Sequence, residues 1–181
     1  INEVNKDNET PLFYACQYEK KNIVQYLCEQ NVDVNKVNWK GETPLFIACR
    51  LGNYDIIKYL IEHGAEINIK NINNETPIFY LIQNNYENIM KYFIEHGADL
   101  NIENINNETT LFKACQSGNE KLLNYLIEHG FDINNENINK ENKDGETPLF
   151  KACENRNMNM IKILIEKGGD INKINKKGET P

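Results

Sequence analysis

Short apolar blocks and polar punctuation alternate along this chain at a fixed interval. Between Asn38 and Lys70, Leu45, Phe46, Ile47, Ala48 and Cys49 form one compact apolar block. Ile56, Ile57, Tyr59, Leu60 and Ile61 form a second. The first predicts a short helix. Gly41 permits the turn before it, Thr43 is placed to cap it, and Pro44 suits its first turn, where a missing N–H needs no partner. Gly52 and Asn53 break that helix. The second block predicts a helix from about Asp55 to His63 with a wide apolar stripe, ended by Gly64. Helices this short are marginal in water by themselves, so their apolar faces must be covered by each other and by neighbouring copies.

Those copies exist. The threonine heading the first block recurs at Thr10, Thr43, Thr76 and Thr109, each 33 residues from the last, then at Thr147 after 38 and Thr180 after 33. A period of this size marks a stacked-repeat solenoid, in which each unit contacts only its neighbours. The predicted organisation is one elongated domain over 1–181. It comprises a partial unit at 1–4, repeats at about 5–37, 38–70, 71–103, 104–141 and 142–174, and a partial unit at 175–181. Ile1-Asn2-Glu3-Val4 matches the closing segment of a preceding unit, and Gly178-Glu179-Thr180-Pro181 opens a following one. The first and last full units keep apolar residues where end units are normally polar, among them Val24, Leu27, Ile161 and Leu164, so the chain is expected to be a section of a longer array.

The residues Gly41-Glu42-Thr43-Pro44-Leu45-Phe46-Ile47-Ala48 and Leu60-Ile61-Glu62-His63-Gly64-Ala65-Glu66-Ile67-Asn68 resemble the ankyrin repeat. So do their counterparts from Phe93 to Asn101, Leu126 to Asn134 and Leu164 to Asn172. The resemblance covers essentially the whole chain. It implies an all-α repeat solenoid, a β-turn plus two antiparallel helices per about 33 residues, in a curved stack. Four departures stand out. Phe13, Phe46, Phe79, Phe112 and Phe150 replace the family's histidine, whose side chain links neighbouring turns, so this layer should rely on apolar packing. Leu81 replaces a small alanine, Thr110 replaces the proline, and Asn31 stands where glycine is usual.

Net charge is −7, which argues against a nucleic-acid backbone as partner. No run approaches the roughly 20 apolar residues a membrane helix needs. Asparagine, with 31 residues, crowds the segments between helices. Part of this suits turns, and the excess is read as an A/T-rich coding background. Five cysteines, four of them at one repeat position (Cys16, Cys49, Cys115 and Cys153), suggest small thiols in a helix seam and a reducing, cytoplasmic setting rather than disulfides or a metal. His63, His96 and His129 lie one repeat apart, too far to share an ion, and suit helix C-termini instead. Asn8, Asn74 and Asn107 head glycosylation-type triplets that coincide with turns. No catalytic motif is present, and no cofactor is expected.

The resemblance implies that a partner meets the projecting turns and the exposed side of the first helices, the family's concave face. Mapped onto this chain, that face holds Lys6, Asp7, Gln17 and Tyr18; Trp39, Lys40, Glu42, Arg50 and Leu51; Ile72, Glu75, Gln83 and Asn84; Ile105, Glu108, Gln116 and Ser117; and Lys143, Glu146, Glu154 and Asn155. Trp39, the one tryptophan, is the sharpest candidate, with Tyr18, Arg50 and Leu51 as an anchor cluster. The opposing reading has Trp39 shielding its own turn. Glu9, Glu42, Glu75, Glu108, Glu146 and Glu179 either form an acidic edge for a basic partner or serve their local helix N-termini. The extra five residues around Asn135–Lys143 predict a lengthened polar turn, a recognition feature or a tolerated expansion. The expected function is a non-enzymatic, monomeric protein-interaction scaffold. The alternatives are a regulatory or targeting segment of a larger enzyme, adaptor or membrane protein, and a spacer.

Overall fold

The computed structural model describes residues 2–181, apart from the side chain of Asn135, so the Ile1 end of the expected opening segment lies outside it. The chain folds into two compact units, Ile1–Ala98 and Asp99–Pro181. In the first, helices α1 (Pro11–Gln17), α3 (Pro44–Leu51) and α5 (Pro77–Gln83) pack side by side, each antiparallel partner following it in sequence. Those partners are α2 (Lys21–Glu29), α4 (Tyr54–Glu62) and α6 (Glu87–Glu95). In the second unit, α7 (Thr110–Ser117) packs on α10 (Pro148–Glu154), with α8 (Glu120–Glu128) and α11 (Met158–Glu166) as their partners. The helix boundaries fall within about two residues of those read from the sequence.

Each pair buries the residues that the pattern marks. In the repeat at 38–70, Leu45, Phe46, Ala48, Cys49, Ile56, Ile57 and Leu60 are fully enclosed. The phenylalanines at the histidine position are all buried. Phe46 meets Tyr80 edge-on with ring centroids 5.9 Å apart, and the Phe112 ring lies 5.7 Å from the Lys151 ammonium. Thr110, in place of proline, is buried and donates its hydroxyl to the Leu100 carbonyl. Asn31 adopts φ 55°, the left-handed cap that its position requires. Gly52 is needed twice over: its φ is 72°, and a Cβ there would lie 2.4 Å from the Tyr86 ring.

Two expectations change. The threonines do not cap as a group. In α1, α3, α5 and α10, the N–H three residues on (Phe13, Phe46, Phe79, Phe150) donates to the threonine's own carbonyl at 3.0–3.1 Å. The hydroxyls of Thr10, Thr43, Thr76 and Thr147 are therefore buried without a partner. In α7, which opens without proline, the Thr109 carbonyl instead takes Lys113 N–H at 3.0 Å. That frees Phe112 N–H for the Thr109 hydroxyl at 3.1 Å. The second change is in the insertion, which is not a plain polar turn. It holds a helical turn, α9 (Asn135–Ile138), capped by Asn134 accepting from Asn137 N–H, and it buries Ile138.

An unpaired buried hydroxyl carries a desolvation cost without a compensating bond. Thr43→Val is therefore expected to be neutral or stabilising by up to about 1 kcal/mol. Thr109→Val, which removes a formed cap, should cost about 1 kcal/mol. Urea unfolding of the two variants checks the pair. Burial also pushes the thiols of Cys16, Cys49 and Cys115 well above their ordinary range, withdrawing the reactive thiolate. Native maleimide labelling, read by mass spectrometry, should mark Cys153, the one cysteine that is partly exposed, and spare those three until denaturant is added.

Candidate functional site

The projecting turns are built by asparagine. Asn38 Oδ1 accepts from the N–H groups of Lys40 (2.9 Å) and Glu42 (3.0 Å), while its Nδ2 donates to the Glu42 carboxylate (3.4 Å). The same three bonds recur at Asn5, Asn71, Asn104, Asn142 and Asn175, each closing on the glutamate four residues ahead. The residue before that glutamate is left-handed every time, as Asn8, Gly41, Asn74, Asn107, Gly145 or Gly178. Adjacent turns are joined through main chain. Trp39 N–H donates to Asp7 O (3.0 Å) and Ile72 N–H to Lys40 O (2.9 Å) in the first unit. Lys143 N–H donates to Asn106 O and Lys176 N–H to Asp144 O, both at 2.9 Å, in the second.

A second asparagine set ties each repeat to the next. Asn35, Asn68, Asn101 and Asn139 donate Nδ2 to the carbonyls of Gly64, Gly97, Gly130 and Gly168 at 2.9–3.3 Å. The loop asparagines read as background composition are thus the fasteners of the turns. The histidines sit where a helix end needs a donor. His63, His96 and His129 Nδ1 donate to the carbonyls of Tyr59, Tyr92 and Tyr125 at 2.7–3.0 Å, with their rings against those tyrosines. Among the described residues, no group of His, Cys, Asp and Glu is arranged to hold a metal ion. None of the described helices is long and apolar enough to cross a membrane.

The glutamate row is engaged within the turns rather than presented as a bare acidic edge. Beyond their asparagines, Glu75, Glu108 and Glu146 each meet a donor on the following helix. Glu108 pairs with Lys113 at 2.7 Å and Glu146 with Lys151 at 2.8 Å. Tyr80 OH lies 3.5 Å from Glu75 and 3.3 Å from Glu42. In the repeat at 38–70 the corresponding helix position is Ile47, which cannot donate, and Arg50 pairs with Glu42 from one turn further on. The Arg50 guanidinium also lies 5.0 Å from the Tyr80 ring. Glu42 is consequently 3 % exposed. Proposed from the sequence as a partner contact, it is instead an internal counter-ion.

Trp39 does not fold onto its turn: it is 60 % exposed, with Lys40 Nζ 5.1 Å from its ring. Trp39, Lys40, Ile47, Arg50, Leu51 and Gln17 line one hollow of about 370 Å³. Tyr18 is exposed but lies elsewhere. It stacks on Tyr14 (6.4 Å) beside a separate, mostly apolar hollow with Val4, Pro11 and Ile23, at the α1–α2 end of the first unit. Ile72 stands exposed on its turn and Gln83 on α5. In the second unit Ile105, Gln116 and Glu154 are likewise exposed, Glu154 in contact with Lys151 at 3.0 Å. Ile47 was missed as a site residue because, read one repeat at a time, it is simply one more apolar helix position. Only alignment against Tyr14, Tyr80, Lys113 and Lys151 shows that its row is otherwise polar-tipped.

Family comparison agrees with this geometry. The description "Ankyrin repeats (3 copies)" matches residues 1–71 and 66–137, and "Ankyrin repeats (many copies)" matches residues 111–165. No curated protein gives a significant match.

The Glu146–Lys151 pair gives its own turn a pH dependence. Burial pulls the Glu146 carboxyl upward, but hydrogen bonds from Lys151 and Asn142 and the nearby positive charges outweigh it and hold the group below its ordinary range. A carboxyl lowered on folding contributes stability above its unfolded pKa and loses it as pH falls through the folded value. Glu146→Gln should therefore destabilise the protein at pH 7. The gap from wild type should close below the ordinary carboxylate range, read by urea midpoints at pH 7 and pH 3.

Proposed function

Because the chain belongs to the ankyrin-repeat family, we propose that it is a non-catalytic protein-interaction module that takes a polypeptide partner on its projecting turns and the exposed side of its first helices, the concave face of that family. The observation that carries this reading is the hollow around Trp39. A tryptophan, an arginine and a leucine, two of them residue types that dominate binding energies, stand together at the surface. The scaffold itself draws nothing from the Trp39 ring, since the turn is already closed by Asn38 and by the main-chain bond to Asp7. Exposed Ile72 on the next turn and Gln83 on α5 extend the same face within the first unit. Ile105, Gln116 and Glu154 would offer the corresponding contacts in the second. The remaining exposed large side chains there, such as Met158 and Ile174, lie on second helices or outgoing loops.

The test is affinity capture from cell extract with the wild-type chain and a Trp39→Ala/Leu51→Ser variant whose helicity and unfolding midpoint match wild type. Partners bound by wild type and lost from the variant are the expected result. A partner list unchanged by the variant would overturn recognition at this face.

A further inference from the structure

Resting on the reading of the chain as a protein-interaction module, the geometry points to a specific partner chemistry at the Trp39 hollow. We propose that it is a socket for one large apolar side chain of an extended peptide segment, with an acidic residue beside it held by Lys40 and a basic residue held by Glu9.

The apolar wall of the hollow comes from the break at Ile47. At this position the other repeats carry Tyr14, Tyr80, Lys113 or Lys151, whose polar tips reach toward the glutamate or asparagine of their own turn. Those tips fill the angle between turn and helix. Ile47 leaves one wall of that angle apolar, between the Trp39 ring on the turn and Leu51 at the end of α3, while Arg50 and the Tyr80 hydroxyl take up the Glu42 carboxylate beside it. The volume of about 370 Å³ is at the small end of the range in which proteins hold ligands, suiting a side chain rather than a whole small molecule.

The charges then select the flanks. Of the ionised groups around the hollow, Arg50 and Glu42 neutralise each other. Lys40 lies over the Trp39 ring, and among the described residues no carboxylate is within ion-pair distance of it. Glu9 accepts an amide hydrogen from Asn5 at 3.2 Å but faces no cation among the described residues. Each wall therefore offers one uncompensated charge of opposite sign. A peptide bearing only acidic, or only basic, residues beside its apolar anchor would satisfy one wall and leave the other opposed.

Trp39 is the sole tryptophan, so its fluorescence reports occupancy of this hollow directly. The experiment selects random twelve-residue peptides displayed on phage against the full chain and titrates the enriched sequences into it as synthetic peptides. The expected outcome is enrichment of a large apolar residue with acidic and basic neighbours, a saturable shift in Trp39 emission, and at least tenfold weaker binding to Ile47→Lys. Lys40→Glu should remove the preference for the acidic neighbour, and Glu9→Gln the preference for the basic one, with the apolar requirement kept. Peptides that bind without moving Trp39 emission, or equally well to Ile47→Lys, overturn the socket while leaving the module reading intact. Peptides with an apolar anchor but no charged neighbours overturn the charge selection. Absence of any enrichment over an unrelated control protein overturns both readings.

Discussion

Every projecting turn in this protein depends on one small interaction, an asparagine side chain that takes two main-chain N–H groups and returns an amide hydrogen to the glutamate closing the turn. A turn of this kind has too few apolar atoms to hold its shape by burial, and its N–H groups would otherwise be left to water. The asparagine supplies the missing partners locally, as its side chain does in many turns, and the main-chain bonds between successive turns then have fixed groups to join. The helices behind contribute the apolar burial. Helix packing fixes where each repeat sits, and the amide decides that the loop in front of it stands up as a shaped surface.

Phenylalanine in place of the family's histidine alters the layer beneath the turns. It seals the seam with buried rings, against Tyr80 in one unit and Lys151 in the other, while the threonine hydroxyls of the four helices that open with proline stay enclosed and unpaired. The chain thus carries a local polar cost beside a continuous apolar layer. Lysine, tyrosine and arginine on the first helices absorb the glutamates instead. Which of these three does so varies from repeat to repeat, and that variation is what makes one turn chemically unlike the next.

Most of the architecture was legible from the sequence because it is periodic. The return of Thr-Pro-Leu-Phe and its variants Thr-Pro-Ile-Phe and Thr-Thr-Leu-Phe, at 33 residues and once at 38, located all five helix pairs, and Gly or Asn at helix ends located their stops. What was not legible depends on side-chain geometry that no spacing encodes. Threonine before proline looks like a cap, yet the N–H it would bind closes on its own carbonyl first. Glu42 looks like a surface acid, and only the absence of a donor at Ile47 explains why Arg50 reaches back and buries it. Tyr18 is adjacent to the Trp39 repeat in sequence pattern but turns to the α1–α2 end. Asparagine beyond the needs of turns looks like composition bias in a sequence. The meaning of these asparagines lies in bonds to residues two, four and 29 positions away. The helical turn α9 escaped notice because its single buried anchor, Ile138, sits in a run of Asn, Glu and Lys.

The amide that shapes each turn is also a chemically perishable group. Conversion of Asn38 or Asn104 to aspartate keeps the acceptor oxygen for the two N–H groups but replaces the donor facing Glu42 or Glu108 with a second carboxylate about 3 Å away. Two carboxylates at that distance repel each other when both are ionised, leaving Arg50 or Lys113 to offset both. Ageing by loss of ammonia would therefore leave the helices packed and strike first at the outward surface, erasing the protein's recognition features before its fold.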